Sequence, residues 1–141
     1  MSIWFAPFTL EDVNRRRVAG LAAELGMRFT AFGDDWLAAT MPVDERTHQP
    51  MRLLHGGASL ALAEAVGSTA GNLCIDRARF RCIGQEINGN HLRAATQGPV
   101  TATARPQHVG ARSQVWQIEI RDPAERLVCA SRLTLAVVPA A

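Results

Sequence analysis

The stretch HGGASLALAEAVGSTAGNLCI, residues 55–75, decides the fold of this chain. The twenty residues from Gly56 to Ile75 carry one charged side chain, Glu64, among small, apolar and neutral ones. Glycines, an Asn and a Glu are costly in lipid, so the segment is predicted to be a buried core helix and not a membrane span. Because this helix is apolar on every face, one sheet cannot cover it alone. A second copy of the chain is the simplest cover.

Strand patterns surround this helix. They occupy six segments: 27–32, 36–42, 81–93, 101–107, 113–121 and 127–138. The first two are joined by Gly33-Asp34-Asp35, a hairpin signal. Within 113–121, Trp116, Ile118 and Ile120 alternate with polar residues at a period of two. The order of a strand pair, one helix and four strands predicts an α+β fold, with one antiparallel sheet and a central helix, in a single domain over 1–141.

Two short helices are predicted before the first strand. Thr9 followed by Asp12 predicts the N-terminal cap of a helix that runs to Arg17. A second helical piece over 18–26 ends at Gly26, a common stop.

Composition excludes several classes of protein. A net charge of +2 over 141 residues does not favour binding to nucleic acid or to a membrane surface. Cys74, Cys82 and Cys129 are odd in number and lack CxxC spacing, which argues against a disulfide framework or a zinc site and indicates a reducing, cytoplasmic compartment. The N-terminus lacks a secretory pattern. The four histidines have no metal-ligand spacing, so no metal or cofactor is predicted.

Glu64 has two interpretations. Burying an unpaired carboxylate costs several kcal/mol or more, so Glu64 is either paired with an Arg of a neighbouring strand or held in a cleft as a catalytic base or nucleophile. Its helix face includes the small residues Gly67, Ser68 and Gly71, which would let a second backbone or a thin ligand approach. Ser68 is placed to hydrogen-bond Glu64 or a water, or to bond back to its own helix.

The start of the helix suggests an anion site. Gly56 and Gly57 leave backbone N–H groups unhindered at the positive end of the helix dipole, where they stabilise an oxyanion or merely allow a tight turn. Gly56 lies about 12 Å of helix from Glu64, too far for both to reach one reacting carbon. Two antiparallel helices in a dimer would bring the Gly56 amide of one subunit to Glu64 of the other.

The combination RTHQP, LLHGGAS and LAEAVGSTAG resembles the signature of the hotdog-fold acyl-CoA thioesterases. It is most similar to the branch that hydrolyses aryl-CoA thioesters, including 1,4-dihydroxy-2-naphthoyl-CoA, and the likeness covers nearly the whole chain. The resemblance implies a curved antiparallel sheet wrapped around the helix, in a homodimer or homotetramer with the active site at the dimer interface.

The resemblance also implies roles for individual residues. Glu64 matches the catalytic carboxylate, the Gly56 amide polarises the thioester carbonyl, Gln49 and His55 border the thioester, and Ser68 positions water or the carboxylate. The residues implied to contact coenzyme A are Gly84, His91, Leu92, Arg93, Ala94, His108, Val109, Gly110, Ala111, Arg112 and Ser113. Guanidinium groups suit phosphates, although Arg93 and Arg112 are equally explained as surface arginines.

The predicted function is therefore hydrolysis of an aryl or related acyl-CoA. Glu64 acts either as a general base or as a nucleophile that forms a mixed anhydride. Two alternatives stay open: a hotdog dehydratase or hydratase, which pairs a His with the carboxylate, and a non-catalytic module that binds acyl-CoA.

Overall fold

The secondary structure matches the predicted order. The structure, a computed structural model, describes residues 1–16 and 19–141. Its elements are α1 (Leu10–Arg15), α2 (Leu21–Glu24), β1 (Arg28–Phe32), β2 (Leu37–Met41), α3 (Gly56–Leu73), β3 (Phe80–His91), β4 (Val100–Val109), β5 (Ser113–Arg121) and β6 (Leu127–Pro139). The predicted α+β architecture of one antiparallel sheet and one long helix is confirmed.

The sheet has six strands in the order β1-β2-β4-β5-β6-β3, and every neighbouring pair is antiparallel. β3 comes first in sequence among the strands after the helix, but it lies at the sheet edge and pairs with β6 alone. Its twelve residues make a long edge. The pairing contains one bulge, between Gly84 and Glu86, which leaves Gln85 as an extra residue.

Helix α3 packs its most apolar face on the sheet. Leu62, Val66 and Ala70 are fully buried against a core that includes Trp116 and Leu133. Burial of a side chain such as Leu62 contributes about 1.5–3 kcal/mol. No helix in residues 1–16 and 19–141 is both long and apolar enough to cross a bilayer.

The glycines Gly67 and Gly71 of α3 allow the sheet to pack closely against the helix. A Cβ added at Gly67 would lie 2.6 Å from Leu133 Cδ2, and one at Gly71 would lie 2.4 Å from Leu135 Cδ1. The expectation that these two glycines admit a second backbone or a ligand is therefore wrong, because leucine side chains of β6 already fill the space. Ser68 alone of that small set lines a cleft.

The two N-terminal helices are shorter than predicted. Thr9 forms the expected capping box: its hydroxyl accepts from Asp12 N at 3.1 Å, and its own N–H donates to the Asp12 carboxylate at 3.0 Å. α1 ends at Arg15, and the predicted end at residue 17 lies outside the described residues. α2 spans four residues, because Gly20 (φ +89°) precedes it and Gly26 (φ +71°) follows it. The predicted start of α2, residue 18, also lies outside the described residues.

The connection from β2 to α3 is ordered by its own hydrogen bonds. Thr47 is buried, and its hydroxyl donates to Pro42 O at 2.9 Å. His48 and Leu54 form an isolated antiparallel bridge, and His55 N donates to Thr47 O at 2.8 Å. These bonds bring Gln49 beside the start of α3.

Candidate active site

Helix α3 lies along the edge strand β3, and helix positions four residues apart meet β3 residues in the opposite chain direction. Three contacts define the alignment: Gly56 with His91, Leu60 with Gly89, and Glu64 with Gly84. The fourfold spacing follows from the helical period, which places residues i and i+4 on one face. The edge strand and one stripe of the helix therefore bring together Gly56 with His91 and Glu64 with Gly84, four residues of the predicted site.

Glu64 has no partner among the residues that the structure describes. Its side chain is half-buried, and it makes no hydrogen bond or ion pair with any residue in the described part of the chain. The structure therefore does not show the pairing with a neighbouring Arg that would make Glu64 purely structural.

Glu64 faces a cleft of about 500 Å³, which we name the carboxylate cleft. Its lining residues are Val13, Arg16, Leu21, Ala61, Glu64, Ala65, Ser68, Thr69, Asn72, Leu73 and Arg77. Ser68 lines the same cleft as Glu64. Five of the eleven lining residues are apolar, and the other polar ones are two arginines, Thr69 and Asn72. A cleft that places apolar side chains beside a carboxylate suits an acyl group next to a reacting centre.

Asn72 is a lining residue that the sequence reasoning missed. Its amide donates to Cys82 O at 3.3 Å and accepts from Cys82 N at 2.9 Å, so it ties α3 to β3 at the end of the carboxylate cleft. The sequence does indicate this position, because Asn72 follows Glu64 and Ser68 at intervals of four residues and so lies on the same face of the helix.

The start of α3 leaves one backbone donor unused. His55 is the N-cap: its Nδ1 accepts from Gly57 N at 2.8 Å, and its carbonyl accepts from Ala58 N and Ser59 N. Among the residues that the structure describes, the Gly56 N–H has no acceptor. The free N–H therefore belongs to the residue that the sequence singled out, at the positive end of an eighteen-residue helix.

The Gly56 amide opens to a second cleft of about 330 Å³, which we name the amide cleft. Predicted site residues in its lining are Gln49, Gly56, His91, Leu92, Arg93 and Ala94, and the lining residues not predicted are Leu53, Leu54, Ser59 and Val128. The imidazole of His91 covers Gly56 so closely that a Cβ there would lie 2.7 Å from His91 Nε2. A side chain at this position would therefore displace the His91 imidazole.

Gln49 presents a donor to the amide cleft. Its side-chain carbonyl accepts from Met51 N, and its backbone is held by Leu53 and Arg52. Because the carbonyl oxygen is engaged by the turn, the side-chain amide N–H₂ is the end left for a ligand. Gln49 and Gly56 together therefore offer two N–H donors in one cleft.

The other predicted residues lie apart from these clefts. The six residues His108–Ser113 span the end of β4, the turn over 110–112 and the first residue of β5, and none of them lines either cleft. In the turn, Gly110 N donates to Ser113 O at 2.9 Å. His55 lines neither cleft and instead caps α3. Gly84 lies against the Glu64 carboxylate itself. One chain therefore does not bring all of the predicted residues together.

The cysteines have no features of nucleophiles. Burial raises the pKa of Cys74 to about 12 and that of Cys82 to about 11, and burial also raises the pKa of Cys129. A protonated thiol is a poor nucleophile. Among the described residues, no three His, Cys, Asp or Glu side chains converge as a metal-binding group. Apart from arginines, the titratable side chains that line the two clefts are Glu64 and His91.

Comparisons with known proteins agree with this chemistry. Residues 51–129 match the family described as the Thioesterase superfamily. The chain is 51% identical over 136 residues to the 1,4-dihydroxy-2-naphthoyl-CoA hydrolase of Escherichia coli, with 96% of this chain and 99% of that protein covered. It is 49% identical over 136 residues to the proofreading thioesterase EntH of Cronobacter turicensis, with 96% and 98% covered.

A solved structure extends the likeness to three dimensions. The chain superposes on a mutant of thioesterase PA1618 from Pseudomonas aeruginosa with a TM-score of 0.97 and 47% identity, covering 99% of this chain and 100% of that one. The aligned part of the chain therefore includes the segments that form both clefts.

Proposed function

The chain belongs to the thioesterase superfamily and is a thioester hydrolase of the hotdog fold, and from this premise we propose that it hydrolyses aryl acyl-CoA thioesters at a site built from two subunits. Two observations on one helix carry the proposal. Glu64 has no partner in the described residues and faces one cleft, and the Gly56 N–H, which has no acceptor there either, lies at a second cleft. In a dimer there would be two sites, and each would combine the amide cleft of one subunit with the carboxylate cleft of the other.

The thioester carbonyl binds in the amide cleft of one subunit. The Gly56 N–H and the Gln49 side-chain amide donate to its oxygen, and the positive end of α3 stabilises the negative charge that develops there. Preorganised donors of this kind lower the barrier because they do not have to reorient during the reaction.

Glu64 of the partner subunit then acts on the carbonyl carbon by one of two routes. As a general base, its carboxylate takes a proton from water while the water oxygen bonds to the carbon. As a nucleophile, its oxygen bonds to the carbon to form a mixed anhydride, which water then hydrolyses. In both routes the C–S bond breaks and coenzyme A leaves as thiolate. Ser68 positions the water or the carboxylate.

Two features support a shared site. The outer edge of β3 is unpaired along twelve residues within the described chain, and such an edge pairs readily with another strand. The carboxylate and amide clefts also share no lining residue, although both lie along α3. A homodimer, alone or as half of a homotetramer, would join the amide cleft of one copy to the carboxylate cleft of the other.

The proposed substrate follows from the clefts and from the relatives. The carboxylate cleft has a volume of about 500 Å³ and five apolar residues among its eleven lining residues, so it has room and apolar contacts for an aromatic acyl group. Arg93 in the amide cleft and Arg112 in the β4–β5 turn carry no ion pair within the described chain and are assigned to the phosphates of coenzyme A. The same proposal assigns His108–Ser113 to coenzyme A, and it places the enzyme in the cytoplasm, where its three free thiols stay reduced.

Thiol release across a panel of aryl, short-chain and long-chain acyl-CoAs tests this proposal. We expect aryl-CoAs to give the highest kcat/KM, and Glu64→Gln and Glu64→Ala to abolish most of the activity. A Glu64→Gln protein that hydrolyses aryl-CoA as fast as the wild type would falsify the mechanism. A dehydratase is not favoured, because the similar proteins are named as thioesterases and as a thioester hydrolase. A binding module would release no thiol at all.

A further inference from the structure

Gly84 lies in β3 directly under the Glu64 carboxylate. A Cβ built on Gly84 would be 2.4 Å from Glu64 Oε1 and 3.6 Å from Glu64 Cδ, and no other atom of the described chain outside its two neighbours lies within 4 Å of that position. Real Cβ atoms do not approach a heavy atom to 2.4 Å. The carboxylate therefore occupies the space that a side chain at Gly84 would fill.

The backbone does not explain a glycine at this position. Gly84 has no positive φ, unlike Gly20 and Gly26, so an alanine could adopt the same conformation. A glycine inside a strand costs about 0.5–1 kcal/mol relative to alanine, and it commonly marks a close approach by another group. Here the approaching group is a carboxylate.

The bulge in β3 places Gly84 on the face of the sheet that packs against α3. The pairing of β3 with β6 shifts between Gly84 and Glu86, so Gly84 stands opposite Leu135 and Ile87 stands opposite Leu133, both buried core leucines. Without the extra residue Gln85, the alternation of the strand would turn one of these two positions away from α3. The bulge therefore keeps both Gly84 and Ile87 on the helix side of the sheet.

We propose that Gly84 is a positioning residue for Glu64: the missing side chain creates a seat on β3 that fixes where the carboxylate points into the carboxylate cleft. This inference rests on the catalytic role proposed for Glu64, and it gives Gly84 a role different from contact with coenzyme A. With the seat filled, the flexible carboxylate rotates into the open cleft. Misplacement of a catalytic group by about 1 Å can cost about 100-fold in rate.

The test uses Gly84→Ala with steady-state kinetics and thermal unfolding. We expect kcat on the best aryl-CoA to fall by about 10- to 100-fold, with KM within about twofold of the wild type. We expect no loss in the unfolding temperature, because alanine restricts the unfolded chain and meets only a mobile carboxylate. A rise in KM with kcat retained would show instead that Gly84 borders coenzyme A, and an unchanged kcat would show that the seat is dispensable.

A double-mutant cycle identifies Glu64 as the affected group. Glu64→Asp shortens the side chain by one methylene and moves the carboxylate. It should lower kcat much less in the Gly84→Ala protein than in the wild type, because the carboxylate is already displaced there. Gly89→Ala is the matched control, because it also crowds α3 from β3, but its Cβ would meet Leu60 Cδ2 at 2.6 Å. In that background the effect of Glu64→Asp should equal its effect in the wild type.

The outcomes separate this inference from the proposed function. Additive effects of Gly84→Ala and Glu64→Asp would overturn the positioning role, while an inactive Glu64→Gln protein would leave the proposed function standing. An active Glu64→Gln protein would overturn the catalytic role, and the positioning role with it.

Discussion

Replacing Gly56 by proline removes a single N–H from the helix start. Gly56 is the first residue of α3, a position where proline is favoured because its N–H has no partner within the helix. His55 before it has φ −68° and ψ 131°, an extended conformation that a following proline accepts. Since the Gly56 N–H has no acceptor in the described chain, the substitution breaks no intrachain hydrogen bond.

Gly56→Ala is the matched control. Alanine brings the same crowding, with its Cβ 2.7 Å from His91 Nε2, but it keeps the N–H. Loss of one oxyanion donor typically lowers kcat by about 100- to 1000-fold, or about 2.7–4 kcal/mol. We therefore expect Gly56→Pro to have a kcat lower than that of Gly56→Ala by about this factor.

The assay is thiol release from a saturating aryl-CoA, with circular dichroism to verify that both variants are folded. The ratio of the two kcat values measures the contribution of the Gly56 N–H alone, because both substitutions displace His91. If folded Gly56→Pro and Gly56→Ala proteins have the same kcat, the Gly56 amide does not stabilise the transition state and the proposed oxyanion site is wrong.

Three further predictions concern the groups around the site. His55→Ala should lower the free energy of unfolding by about 1 kcal/mol through loss of the helix cap, and His55→Asn should restore it, as denaturant titration can show; equal losses would contradict the cap. Gln114→Leu should cost about 1–3 kcal/mol. The reason is that the buried Trp116 Nε1–H, which donates to Gln114 Oε1 at 2.9 Å, loses its acceptor, and an unchanged melting temperature would refute this. Backbone and side-chain hydrogen bonds from Arg126 hold the pKa of Asp122 below its ordinary value of 3.8, so its carboxylate stabilises the fold at neutral pH and this contribution is lost as pH falls below that value. The stability gap between the wild type and Asp122→Asn should therefore narrow between pH 6 and pH 3 in thermal melts, and a constant gap would contradict it.

The sequence predicted the parts of the fold that depend on local pattern. The apolar run after Gly56 and the alternation around Trp116 reflect the helical and strand periods, and both elements form where expected. Thr9 and Asp12 form the predicted cap because the capping box is a contact between residues three apart.

The parts that the sequence did not predict depend on register and on distant packing. The contact of Glu64 with Gly84 needs the extra residue Gln85 in β3, and no local pattern announces that bulge. Gly67 and Gly71 looked like a surface for a second helix, but leucines of β6, more than sixty residues away, fill them. His55 was expected beside the thioester, and its cap on Gly57 depends on a side-chain rotamer that the sequence does not specify. Its role beside the substrate stays a prediction.

The central claim is that each active site takes its Gly56 amide from one subunit and its Glu64 carboxylate from the other. Co-expression of differently tagged Glu64→Gln and Gly56→Pro chains, followed by purification of the mixed dimer, tests it directly. In a shared arrangement the mixed dimer has one site with both groups intact and one site with neither. Its kcat per dimer should therefore be about half that of the wild type, far above either parent variant. A mixed dimer no more active than its two parents would place Gly56 and Glu64 of one chain in the same site and contradict the account.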